Sequence, residues 1–218
     1  YTDLKATVDG LSAEVKKDIK ITGGGNLILG SESFKNAELK GNTGDGSSIT
    51  YELTGGATMA NTNSNRYFRW TTVGAYVAKG VTLCLSVMYK PVSGADEFCM
   101  EIAYTAGYST SQSWATIKPT DQLEIEQTDG WVLRYGLWTP PDNATLKLVD
   151  MGSGTTHAGT GNYTNKFSLL HPMLQYGNAP TAWNASSGDY LTQESAKSLF
   201  SQTADEIKTE VTKSVTET

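Results

Sequence analysis

No run of about 18 apolar residues occurs anywhere in the chain, so no segment reads as a membrane-spanning helix. Charge is sparse: 18% of residues are Asp, Glu, Lys or Arg, and the formal net charge is −6. No basic patch stands out, which argues against nucleic acid as the main partner, because phosphate contacts need one. Nothing at the start reads as a signal peptide. The chain opens at Tyr1 on a helical phase, so it is expected to be cut from a longer protein, with any targeting signal outside it. The two histidines, His157 and His171, sit at no metal-ligand spacing. There is no G-x-S-x-G elbow, and the GGG at 23–25 lacks the Lys and Ser/Thr that follow in phosphate-cradling loops. The two cysteines, Cys84 and Cys99, flank a turn-like PVSGAD stretch at 91–96. If that stretch closes a hairpin, Cys84 faces Ala103 and Cys99 faces Met88, too far apart to bond. Two free thiols are expected, as suits assembly in a reducing cytoplasm.

What is present is a repeat at the two ends. LKATVDGLSAEVKKDI at 4–19 matches FSQTADEIKTEVTKSV at 200–215 in register. Thr7, Asp9, Glu14, Val15 and Lys17 meet identical Thr203, Asp205, Glu210, Val211 and Lys213. Leu4, Val8, Leu11 and Val15, and again Phe200, Ala204, Ile207 and Val211, keep the alternating steps of a heptad seam. Asp18 and Ser214 interrupt the seam at its next core position. Helices this short need a packing partner. That partner is either the β-domain of their own chain or other copies, and self-association is the expected answer. The divisions are a helix at 1–22, a β-domain at 25–190 and a helix at 193–218.

Between the ends, Gly, Ser, Thr and Asn punctuate short apolar alternations. In VTLCLSVMYK at 81–90, Val81, Leu83, Leu85, Val87 and Tyr89 alternate with polar or smaller residues. Phe98, Met100, Ile102 and Tyr104 read as the hairpin partner. Leu123 and Ile125; Trp131, Leu133, Tyr135 and Leu137; Leu146 and Leu148; and Phe167 and Leu169 mark further strands. Eight or nine such strands predict an antiparallel sandwich, so the fold class is mainly β with flanking helices.

NLILGSESF at 26–34, TLCLSVMYK at 82–90, DGWVLRYGLWTPPDNATLKL at 129–148 and HPMLQYGNAPTAWNAS at 171–186 together resemble strands of jelly-roll carbohydrate-binding modules. In the versions carried by bacteriophage tail proteins the last stretch reads P-x-L-E-x-G-x-x-A-T-x-W. Pro172, Leu174, Gly177, Thr181 and Trp183 fill that pattern, with Gln175 at the acid. The helical ends are similar to coiled-coil units of tail-tip and baseplate proteins. The resemblance implies a jelly-roll module on a homotrimeric coiled-coil shaft in a virion, assembled in the bacterial host cytoplasm. Its implied partners are host cell-surface polysaccharide and other tail or baseplate proteins. The family often holds a structural Ca²⁺ through an early acid and one from the last strand. Glu32 fits the first position, but Leu169-Leu170-His171 offers no acid at the second, so no cofactor is expected.

Catalysis by paired carboxylates would draw on Glu97, Glu101, Glu124 and Glu126. Glu124 and Glu126 point away from Leu123 and Ile125, as a solvated face does, and no enzyme is expected. Sugar binding needs exposed rings beside planar hydrogen-bonding groups. Trp131 reads as core, and Trp183 as a staple at the chain exit. Trp70 is flanked by Arg66 and Arg69. The candidate carbohydrate site combines Tyr108, Gln112 and Trp114 from a polar loop with Arg134 and Trp138 from an outer sheet face. The sequence therefore reads as a non-catalytic host-adhesion module. The alternatives are a structural spacer of the tail fibre that binds no sugar and an accessory domain of an extracellular glycosidase, the latter leaving the repeated ends unexplained.

Overall fold

The computed structural model describes residues 25–42, 46–154 and 163–186. The expected helices at 1–22 and 193–218, and with them the coiled-coil shaft, lie outside the described residues. Within these, helix is limited to single 3-10 turns at Phe34–Asn36 and Pro119–Asp121. Eleven antiparallel strands carry the rest: β1 (Glu38–Asn42), β2 (Ser48–Tyr51), β3 (Ala57–Thr71), β4 (Tyr76–Val77), β5 (Leu83–Gly94), β6 (Phe98–Ala106), β7 (Gln112–Ile117), β8 (Leu123–Glu126), β9 (Val132–Trp138), β10 (Ala144–Ser153) and β11 (Tyr163–Tyr176). The mainly β, antiparallel expectation holds.

The strands form two layers. Sheet I runs β7-β6-β10-β3-β1, with β4 beside the start of β10. Sheet II runs β2-β3-β11-β5-β9-β8. Strand β3 belongs to both: Ala57 to Ser64 pair in sheet II and Asn65 to Thr71 in sheet I. Near the change Asn63 adopts φ 47°, a left-handed conformation that Asn tolerates better than most residues. At the crossing, buried amides stand where apolar side chains fill the rest of the interior. Asn61 Nδ2 donates to Asn165 Oδ1 at 2.9 Å, and Asn165 Nδ2 donates to Ser153 Oγ at 2.8 Å.

The core lies between the layers. Leu83, Leu85, Val87 and Tyr89 face Phe98, Met100, Ile102, Phe68 and Trp70. Phe34 makes edge contacts with Phe68 at 4.9 Å and Trp70 at 5.0 Å between ring centroids. Trp70 is therefore a core residue, despite its arginine neighbours.

Two expectations about pairing are corrected. Strands β5 and β6 do not form a hairpin: β5 pairs with β9 and β11, whereas β6 pairs with β7 and β10. Residues 95–97 carry the chain across the sandwich, so Cys84 and Cys99 sit in different sheets. Both are buried free thiols, as expected. The face of β9 is also reversed. Val132, Arg134, Gly136 and Trp138 pair with Tyr89, Val87, Leu85 and Leu83 and share their inward face. Trp131, Leu133, Tyr135 and Leu137 fall on the other side, and Lys90 Nζ lies 6.0 Å from the Trp131 ring centroid. A one-residue change of phase moves every side chain of a strand to the opposite face.

The closing segment folds back as expected of a staple. Trp183 stacks on His171 at 4.6 Å, and its Nε1 donates to Pro172 O at 3.2 Å. Gln175, standing where an acid is usual, donates to Ala179 O and accepts from Thr181 Oγ1. The clasp is completed by Asn26, which is 1% exposed. Its Nδ2 donates to Ser31 Oγ, Pro172 O and Asn184 O, and its Oδ1 accepts from the amides of Ile28 and Leu174. Its backbone N–H donates to Asn184 Oδ1 at 3.0 Å.

Candidate functional site

The outer face of sheet I carries charge that the core-facing side lacks. One file of paired residues crosses five strands: Glu38, Arg69, Asp150, Glu101 and Thr116. Arg69 grips Asp150 with two bonds, Nε to Oδ1 at 2.8 Å and Nη2 to Oδ2 at 2.7 Å. This geometry is the strong form of a charge-assisted pair, and the bond to Asp150 raises the Arg69 pKa. Thr116 Oγ1 donates to Glu101 Oε1 at 3.0 Å. Glu101 and Asp150 are both 0% exposed, although they sit on the side away from the core.

Aromatic rings flank that file. The Arg69 guanidinium lies 5.3 Å from the Trp114 ring centroid and 5.5 Å from that of Tyr67. Trp114 belongs to β7 and Arg69 to β3, so the two reach toward each other over β6 and β10. Ala103, the register partner of Trp114, leaves room for that crossing. Trp114 is half-buried.

Beside Trp114 the face opens into a groove of about 560 Å³ lined by Thr105, Ser109, Thr110, Gln112, Lys147 and Leu148. Gln112 pairs with Thr105 across β7 and β6. Ser109 and Thr110 come from the loop joining these strands, whose tip carries a fully exposed Tyr108. That loop is tied down by Gly107 N to Asn143 O at 2.6 Å and Ser109 N to Ala106 O at 2.9 Å.

Three of the five expected site residues thus lie together: Gln112 and Trp114 on this face, with Tyr108 on the adjoining loop. The other two do not join them. Arg134 is 5% exposed on the inner face of sheet II, 3.9 Å over the Tyr89 ring, and paired with Asp96 and Glu124. Trp138 packs against Tyr104 at 4.6 Å within the sandwich. Reasoning from sequence placed Arg69 only beside Trp70 and Glu101 only among possible catalytic acids, and it missed Tyr67, Lys147 and Asp150. The signal for this face was charge inside otherwise apolar strand patterns, most plainly the acid in FCMEIAY.

A second, smaller cavity of about 150 Å³ lies on the outer face of sheet II, with His171, Trp183, Met88, Met173 and Leu133 among its walls. Burial lowers the His171 pKa. Glu32, the expected first calcium ligand, accepts from Asn36 Nδ2 at 2.6 Å. Among the described residues no group of three or more His, Cys, Asp or Glu is placed to hold a metal ion, and no helix is long and apolar enough to cross a membrane.

No family model and no curated protein matches the chain. Similar solved structures include carbohydrate-binding modules and a phage tailspike domain. The enzymatically active domain of tailspike protein 4 from bacteriophage CBA120 gives a TM-score of 0.44 at 12% identity, covering 70% of this chain and 21% of that one. A family 16 carbohydrate-binding module gives 0.40 at 15% identity, covering 69% of this chain and 99% of that one. The family 11 module of Clostridium thermocellum, solved with a β-1,3-1,4-mixed-linked tetrasaccharide, gives 0.37 at 15% identity, covering 72% of this chain and 98% of that one.

Proposed function

We propose that this domain is a non-catalytic glycan-binding module that holds host cell-surface polysaccharide for a phage or prophage tail protein. The observation that carries the reading is Trp114, which meets the guanidinium of the Arg69–Asp150 pair and stands two residues along β7 from Gln112 of the groove. A half-exposed ring near hydroxyl and amide groups suits a pyranose, whose C–H face stacks while its hydroxyls bond sideways. Against catalysis stands the state of the acids on this face. Asp150 is held by Arg69 and Glu101 by Thr116, and both are shielded, so neither is offered across an open cleft.

The tail setting rests on the 172–183 pattern and the repeated ends of the sequence. In that setting three copies on one shaft, carried in the virion among other tail proteins, turn weak sugar affinity into avidity. A glycan array with a pull-down on purified host cell-wall polysaccharide tests the reading. The full chain should bind a defined glycan, and Trp114→Ala should weaken it by about tenfold or more. A folded protein that captures no glycan, or a Trp114→Ala variant that binds equally well, would sink this reading. The first result would leave the structural spacer as the better account.

A further inference from the structure

We infer that the groove beside Trp114 selects an anionic glycan, one bearing carboxylate or phosphate groups, with Lys147 as the residue that sets this specificity; the inference rests on the glycan reading of the same face. The lining holds four neutral hydrogen-bonding side chains (Thr105, Ser109, Thr110 and Gln112), one cation and no acid. In a chain of net charge −6 such a lining runs against the overall composition.

Most other charges on this face are engaged, and Lys118, near Cys99, lies outside the groove lining. Arg69 is bound by Asp150, and Lys40 by Glu38. Glu101 accepts from Thr116. Lys147 has no ion pair among the described residues, and it is exposed. A ligand anion at the groove therefore meets one free cation with no like charge in the wall.

The position of Lys147 has a local cause. In the β10–β6 ladder Leu146 pairs with Tyr104 and Leu148 with Ala103, which leaves Lys147 as the extra residue of a bulge. A bulge re-aims a side chain and is common beside functional sites. Without it, the strict alternation of β10 would set Lys147 to one side of the sheet and Leu148 to the other, whereas both line the groove. The bulge is anchored by Thr72 N donating to Lys147 O at 3.0 Å. Ser109 Oγ already accepts from Ser111 N, so its hydroxyl hydrogen is available to an anion, as are the Gln112 amide hydrogens. Charge-assisted bonds of this kind are about twice as strong as neutral ones.

The test measures binding of the full chain to three polymers: a neutral mixed-linkage β-glucan, polygalacturonate and poly(glycerol phosphate). Wild type, Lys147→Glu and Trp114→Ala are compared at about 50 and about 500 mM salt, where screening separates charge from stacking. The wild type should prefer polygalacturonate or poly(glycerol phosphate) over the neutral glucan by about tenfold, and high salt should remove that preference. Whichever polymer binds tells carboxylate from phosphate. Lys147→Glu should abolish the roughly tenfold preference for the charged polymers. Trp114-dependent binding that ignores ligand charge, or survives Lys147→Glu unchanged, would overturn the anionic preference and leave the glycan reading standing. Binding of no polymer by folded protein would overturn both.

Discussion

Asn26 shows how much one side chain can hold. Its amide satisfies two backbone N–H groups, two backbone carbonyls and one hydroxyl, all at a site with almost no solvent. An orphaned buried polar group costs about 1–3 kcal/mol, and Asn26→Ala creates several. A loss of at least about 3 kcal/mol in denaturant unfolding is expected. Asn26→Asp should be no better at neutral pH: it keeps an acceptor for Ile28 and Leu174 but turns a second oxygen toward the carbonyls of Pro172 and Asn184. A loss below about 1 kcal/mol for either variant would mean the surroundings relax to replace these bonds. The sequence did point at this segment, but the opening strand expected at NLILG is only a single bridge between Ile28 and Thr72. Nor did the sequence reveal that the Asn serves as a polar hub under the closing segment.

At the scale of elements, what the sequence disclosed was strand existence; what it withheld was partnership and phase. Alternation in 81–90 located β5 well, but Cys84 and Ser86 are as buried as Leu83 and Leu85. The outer side of β5 is covered too, so alternation there marks direction rather than exposure. The same cover defeats the reading of β9. Leu133 lines the cavity against Trp183, while Arg134 enters the sandwich because Asp96 and Glu124 meet its charge and Tyr89 its plane. Strand β3, the longest, went unread because Asn61, Asn63, Ser64 and Asn65 interrupt it with the residues usually taken for a turn. On the functional face Trp114 and Gln112 were legible as a ring and an amide, but they stand on β7 and not in the polar loop expected for them. Arg69 and Asp150 were not legible, because their pairing joins strands 81 positions apart in sequence.

Elements also meet across the core with little tolerance. A β-carbon on Gly136 of β9 would lie 2.3 Å from Ile117 Cγ2 of β7. Gly136→Ala should therefore cost about 2 kcal/mol by overpacking, and Ile117→Ala about 3 kcal/mol by leaving a cavity. Combined, the added methyl occupies space the isoleucine vacated, so the double variant should lose clearly less than the sum in thermal unfolding. Additive losses would mean the two sheets adjust independently at this point.

For the whole molecule, the sharing of β3 makes two sheets one structural unit, and the thiols report on this from both sides. Cys84 lies in sheet II and Cys99 in sheet I, and burial pushes each thiol up to about 12 from a usual 9.0. Both should resist alkylation in the native protein at mildly alkaline pH and react on unfolding. They should become reactive in the same transition, seen by mass spectrometry across a denaturant series. If one thiol labels well before the other, the sheets open separately. The sign of the pH effect follows from the same shifts. In the unfolded chain the thiols ionise from about 9, while in the folded protein they stay protonated toward 12. The stability they contribute is whole below about pH 9 and is lost as pH rises through that interval.

Asn26 and Asn184, 158 residues apart in sequence, touch through two hydrogen bonds. Where the chain joins the sandwich and where it leaves are thus the same place in space. A pull applied at these two points would load the clasp first, with the eleven strands off its line.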